Sequence, residues 1–163
     1  MAANYEPVYY QLLSGEVGAS SALSAPPGPN PGGNLVNAAL DDSNDRQLWE
    51  LVANLVGWPD EFRVAIRNKA TGFVAAAPVG DNTWGVTQEG FDPGNDSAAL
   101  LWTFVPTGDS RWAIRPAGRQ NQNLNAMSME IGSEVAIWGM DSGHPSDAWS
   151  VVADFDYDPE GRQ

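Results

Sequence analysis

Residues 45–52, DRQLWELV, place a tryptophan behind a polar lead-in, and the arrangement returns as SAALLWTFV at 97–105 and SDAWSVV at 146–152. Trp49, Trp102 and Trp149 therefore punctuate the chain at comparable intervals. Leu12, Ile66 and Ile114 precede them by 37, 36 and 35 residues. Each of these aliphatics lies in an alternating run. VYYQL (8–12) puts Val8, Tyr10 and Leu12 on one face, FRVAIR (62–67) puts Phe62, Val64 and Ile66 there, and RWAIR (111–115) puts Trp112 and Ile114 there. A period of two with a polar opposite face predicts a strand. Leu35, Val86 and Val135 mark a later strand, 14, 16 and 14 residues before the tryptophans. Small-residue segments lie between, SSALS (20–24), GFVAAA (72–77) and NLNAMS (123–128). Each beat thus offers about four short strands, linked by Gly, Pro, Asn and Asp, which suit tight turns.

The beats span about 6–56, 60–107 and 109–153, followed by a tail at 154–163. None buries its own apolar face alone, but three packed around a pseudo-threefold axis share one core. The expectation is a single all-β domain of about twelve strands, a closed or nearly closed barrel with hairpins, in which closure removes free sheet edges. The best helical window is LWELVANLV (48–56), bounded by Asp45 and by Gly57, Trp58 and Pro59. The repeat alignment prefers a strand through 48–52. A β-sandwich is the competing architecture. The three late indoles are expected in the core, because each closing strand needs the same large filler at the shared axis.

With 163 residues, 42% of them hydrophobic, the chain is long enough for one sizeable core. Eight basic residues stand against 21 acids, a formal charge of −13. Such a surface repels phosphate backbones and anionic lipid, so no nucleic-acid partner and no membrane insertion are expected. There is no cysteine, hence no disulfide and no thiolate chemistry. MAANYEPVYYQLLSGE lacks the basic and apolar regions of a signal peptide, which predicts a cytoplasmic protein or one released without a classical signal. No Gly-x-Ser-x-Gly elbow, zinc spacing or phosphate-cradling glycine loop occurs, so neither an enzyme, a cofactor nor a metal is expected. DFDYDPEG (154–161) has acids at alternate positions without the glycine and glutamate of a calcium loop, and reads as a solvated tail.

The residues resemble the ricin-B-like (R-type) lectins, whose repeats end in Gln-x-Trp. Gln47-Leu48-Trp49 has that signature intact, whereas Leu100 and Asp147 replace the glutamine in the other copies. The third beat is the most similar. Leu124-Asn125, Gly132, Val135-Ala136-Ile137-Trp138, the turn 139–147 and Asp147-Ala148-Trp149 follow the family's order of motifs. The resemblance implies a β-trefoil and a non-catalytic, carbohydrate-binding function, with galactose or N-acetylgalactosamine as first ligands and glycans or glycoproteins as partners. One good site would leave multivalency to oligomerisation, for which a homodimer is the simplest form.

Sugars are held by stacking an apolar ring face on an aromatic while polar side chains take the hydroxyls. Trp138 is the candidate platform, on the face opposite Ile137; its alternative role is to cap the barrel end. Asn125 stands where the resembled motif carries a sugar-binding Asp. Asp141 follows in the adjacent turn, Asp147 replaces the family's Gln, and His144 offers a rim contact. In the second beat Ala75 takes the place of that Asp, with Gln88 or Glu89 near the aromatic position and Asp96 in the following turn. In the first, Ala38 or Ala39 stands at the platform. The rival reading is a β-trefoil protease inhibitor, acting through the proline-rich loop SAPPGPNPGG (24–33) or QEGFDPGNDS (88–97). Proline stiffens such a loop and lowers the entropic cost of binding.

Overall fold

The computed structural model describes residues 7–14, 20–26, 32–41, 43–54, 63–91, 97–108, 110–126, 130–139 and 148–153. The first repeat contributes β1 (Tyr9–Ser14), β2 (Ser21–Ser24), β3 (Val36–Ala39) and β4 (Trp49–Asn54). The second contributes β5 (Arg63–Asn68), β6 (Val74–Ala76), β7 (Thr83–Trp84), β8 (Thr87–Glu89) and β9 (Trp102–Pro106). The third contributes β10 (Trp112–Pro116), β11 (Gln122–Asn125), β12 (Ala136–Gly139) and β13 (Trp149–Ala153). Two 3₁₀ turns, Asp45–Gln47 and Ala98–Leu100, lead into β4 and β9. Among the described residues there is no α-helix, and the 48–56 window is strand as far as Asn54.

Six strands close a barrel. Around it β1 pairs β13, β13 pairs β10, β10 pairs β9, β9 pairs β5, β5 pairs β4, and β4 returns to β1, all antiparallel. Each repeat's first strand pairs with the previous repeat's last strand in one register. Leu12 faces Val151, Ile66 faces Leu51 and Ile114 faces Phe104. Leu12, Ile66 and Ile114 are thus equivalent, as their spacing predicts, and all three are fully buried.

The other strands make a hairpin in each repeat, and three backbone hydrogen bonds tie the hairpins into a ring. Leu35 N–H donates to Val86 O (2.8 Å), Val86 N–H to Val135 O (3.3 Å), and Val135 N–H to Leu35 O (3.3 Å). The late indoles repeat the symmetry. Trp49 Nε1 donates to Leu23 O (3.0 Å), Trp102 Nε1 to Ala75 O (3.0 Å) and Trp149 Nε1 to Leu124 O (2.9 Å). All three tryptophans are fully buried in one apolar cluster with the equivalent aliphatics of every repeat. A closed six-stranded barrel capped by three equivalent hairpins is a β-trefoil. Burying each indole removes a large apolar area from water, and its one polar atom is satisfied by a backbone carbonyl.

Gln47 shows what the intact Gln-x-Trp does here. Its buried amide donates from Nε2 to Ala39 O (2.7 Å) and accepts at Oε1 from Asp41 N–H (2.9 Å), pinning the end of β3 to the 3₁₀ turn before Trp49. Leu100, at the same place in the second repeat, fills that space without such bonds.

Candidate functional site

Hairpin registers fix which residues of the three repeats correspond. Leu23 faces Asn37, Ala75 faces Gln88 and Leu124 faces Ile137. One step along, Ser24 faces Val36, Ala76 faces Thr87 and Asn125 faces Ala136. One step the other way, Ala22 faces Ala38, Val74 faces Glu89 and Asn123 faces Trp138. The positions equivalent to Trp138 are therefore Ala38 and Glu89, and Trp138 alone of the three is aromatic. The expected counterpart of Asn125 in the second repeat moves by one residue: it is Ala76, because the carbonyl of Ala75 receives the Trp102 indole and its side chain belongs to the core.

In the third repeat β11, β12 and β7 form a three-stranded sheet, with Ala136 opposite Trp84 and Ile137 opposite Thr83. Side chains alternate across a strand, so Leu124 and Ile137 point into the core while Asn123, Asn125, Ala136, Trp138 and Trp84 share the outer face. Trp138 is half-buried and Trp84 is 45% exposed, on a diagonal of the same face. Diagonal neighbours on a sheet lie within reach of aromatic side chains. Asn123 is buried beside Trp138, and its Oδ1 accepts from Arg115 Nε (3.1 Å).

Trp84 reaches this face from the second repeat, and Asn82 anchors it. Asn82 has a positive φ of 51°, a conformation Asn tolerates better than most residues. Its N–H donates to Gln122 Oε1 (2.7 Å), and its Oδ1 accepts from Gly139 N–H (2.9 Å). Arg119 donates to the carbonyls of Gly80 and Pro78, and Asn121 Nδ2 donates to Asp81 Oδ2 (3.3 Å). The 78–82 segment is thereby fastened to the third repeat by bonds at both ends of the contact.

Of the residues expected to bind sugar, Trp138 lies on the outer face, as its place next to Ile137 predicts. Asn125 shares that face but is fully buried, so its amide is not exposed to a ligand arriving from solvent. Asp141, His144 and Asp147 lie outside the described residues, as does Asp96. Trp84, Asn82, Asn123 and Arg115 were not legible as neighbours of Trp138. The cue for Trp84 is its turn-like context NTWG, which predicts exposure but not a partner strand. The centres of the two candidate inhibitor loops, 27–31 and 92–96, lie outside the described residues. Their bases are tied together, with Gly32 N–H donating to Gln88 O (2.6 Å) and Gln88 N–H to Gly33 O (3.0 Å). The described residues contain no cluster of three or more His, Cys, Asp or Glu that would hold a metal ion.

The sequence matches no protein-family model and no curated protein. Its structure is similar to those of known β-trefoils. ThreeFoil, a designed three-fold symmetric protein, superposes with a TM-score of 0.70 at 20% identity, over 88% of this chain and 97% of that one. The Rhizoctonia solani agglutinin gives 0.69 at 15% identity, over 93% and 99%. The C-half of an earthworm R-type lectin, solved in complex with GalNAc, gives 0.64 at 18% identity, over 90% and 99%.

Proposed function

We propose that this chain is a lectin, a non-catalytic carbohydrate-binding protein with a shallow site on the outer face of the third repeat. The observation that carries the reading is the asymmetry of three equivalent positions. The fold repeats its core faithfully, yet Trp138 replaces Ala38 and Glu89 at one outer position and has a second exposed indole, Trp84, beside it. Core packing does not require a large aromatic there, since the first two repeats fold without one. An indole face stacks on the apolar face of a pyranose. Asn123 and Asn125 form the polar floor, and Asp141, His144 and Asp147, which follow Trp138 in the sequence, are the candidate hydroxyl-binding partners to test beside it. Structural likeness to an agglutinin and to a lectin solved with GalNAc supports the reading and makes galactose and N-acetylgalactosamine the first ligands to test.

A shallow, wet site binds one sugar weakly, so useful strength comes from joining sites, for example in a homodimer. A glycan array probed with the wild type and with Trp138→Ala tests the proposal. Binding to terminal galactose or N-acetylgalactosamine that vanishes in the variant is expected. Silence of the wild type across the array, or equal signals from both proteins, overturns it.

A further inference from the structure

A pocket lies where the first repeat meets the second, on β1, β4 and β5. Tyr9 on β1 faces Glu50 on β4, and Glu50 faces Arg67 on β5, so the three side chains form one row across three strands. Together with Lys69, Asn68 and Gly72 they line a cavity of about 350 Å³. That volume is within the roughly 300–1,000 Å³ typical of small-ligand sites. The cavity does not involve Trp138 or its sheet.

Several features build this pocket. Asn68 is buried and shapes the turn after β5, its Oδ1 accepting from Ala70 N–H (3.0 Å) and Thr71 N–H (3.1 Å). Its Nδ2 donates to Arg46 O (2.8 Å), which locks that turn onto the first repeat. Gly72 takes a φ of +74°, where a side chain would be strained, and its carbonyl accepts from Arg67 Nε (3.2 Å). That bond fixes the guanidinium while its terminal Nη groups have no protein partner among the described residues. These are the paired donors that fork a carboxylate. Lys69, the chain's only lysine, has its ammonium 4.9 Å from the centre of the Tyr9 ring and 3.5 Å from Asp45 Oδ1. A cation over an aromatic face is held in place while keeping donors to spare.

Two of the chain's eight basic residues thus converge on one cavity of a strongly acidic protein. At physiological salt the distant acids are largely screened beyond about 8 Å; nearby, Asp45 pairs with Lys69 and Glu50 faces Arg67, so the forked Nη donors of Arg67, and not a net positive charge, set the preference for a carboxylate. Glu50 adds an acceptor suited to hydroxyls, which a bare inorganic anion lacks. We infer that this pocket binds a carboxylate-bearing pyranose, its carboxylate on Arg67 and Lys69 and its hydroxyls toward Glu50.

The test is calorimetric titration with the methyl glycosides of glucuronate, galacturonate and N-acetylneuraminate. Methyl glucoside and sodium acetate serve as the neutral and sugar-free controls. Saturable binding of at least one acidic glycoside, weakened at least tenfold in Arg67→Gln and unchanged in Trp138→Ala, is the expected result. Lys69→Gln, an exposed turn substitution, provides the second variant and is expected to weaken the same ligand. No binding of any acidic glycoside overturns the inference, as do acetate binding of equal strength and an unaltered affinity in both charge variants. Loss of binding in Trp138→Ala would move the acidic ligand to the third-repeat site and also overturn it.

Discussion

Asn37 provides a quantitative test of the threefold correspondence. It pairs with Leu23 as Ile137 pairs with Leu124, and both Asn37 and Ile137 are fully buried. Among the described residues, neither the Nδ2 nor the Oδ1 of Asn37 has a hydrogen-bond partner. Leaving a buried polar group unpaired costs about 1–3 kcal/mol. Asn37→Leu keeps the branching of the side chain, removes both polar atoms and places apolar atoms next to Leu23. Burying an aliphatic side chain contributes about 1.5–3 kcal/mol. Leucine is bulkier, and overpacking costs about 1–3 kcal/mol. The burial and crowding contributions largely offset each other, leaving the relief of the unpaired amide. The expected net gain is about 1–3 kcal/mol, or roughly 3–8 °C in Tm for a chain of this size. Urea unfolding followed by tryptophan fluorescence measures it, with the midpoint rising at unchanged slope. The reciprocal change, Ile137→Asn, is expected to cost about 3–5 kcal/mol from lost burial plus a new unpaired amide. If Asn37→Leu destabilises the protein, the amide is hydrogen-bonded in the folded state, and the two positions are not interchangeable core sites.

Three other outcomes follow from the same geometry. Trp49→Phe, Trp102→Phe and Trp149→Phe each remove an indole–carbonyl bond and leave a small void, costing about 2–4 kcal/mol apiece in urea unfolding; a near-zero cost at any one would break the equivalence. Asn82→Ala keeps its own N–H bond to Gln122 Oε1 but loses the bonds that its Oδ1 accepts from Gly139 N–H (2.9 Å) and Gln122 Nε2 (3.4 Å), and it places alanine at a positive φ. It is expected to destabilise by about 1–3 kcal/mol and to weaken glycan binding by freeing Trp84 from Trp138, both read on one purified variant. Ser43 donates its hydroxyl (2.7 Å) and then its N–H (3.0 Å) to Asp41 Oδ1, which holds that carboxyl below its ordinary value of 3.8. A lowered folded-state value means the stabilisation is present above 3.8 and is lost as the pH falls through the folded value. Ser43→Ala should therefore lower stability near neutrality and converge with the wild type in acid, as followed by thermal unfolding across pH.

The core of the fold was legible because its demands repeat. Trp49, Trp102 and Trp149 fill equivalent space, and the aliphatics ahead of them nearly keep their distances, 37, 36 and 35 residues, because each repeat traces the same set of strands. Even the strand through 48–52 followed from that alignment against a competing helical pattern. The hairpins were less legible. Ala75, Ala76 and Ala77 are identical in size and polarity, so nothing local distinguishes the core-facing residue from its neighbour, and the reading slipped by one. Sequence spacing does not encode the pairing of β7 with β12 either, because it joins the second repeat to the third. Trp84 was therefore visible as an exposed aromatic but not as a companion to Trp138. Asn125 sits at the motif's expected position, yet its burial depends on what packs above it, which position alone does not specify. The Tyr9–Glu50–Arg67 row was hidden for the same reason, since barrel closure brings β1 against β4, which already pairs with β5.

The claim that Trp138 is the sugar platform is tested most directly by indole N–H resonances during a titration with N-acetylgalactosamine. Trp138→Phe assigns the resonance in question by its disappearance. The account predicts that the Trp138 signal shifts saturably, with Trp84 moving less, while the buried indoles of Trp49, Trp102 and Trp149 stay fixed. A titration in which Trp138 remains still while the sugar binds elsewhere, or in which no indole responds, would contradict it.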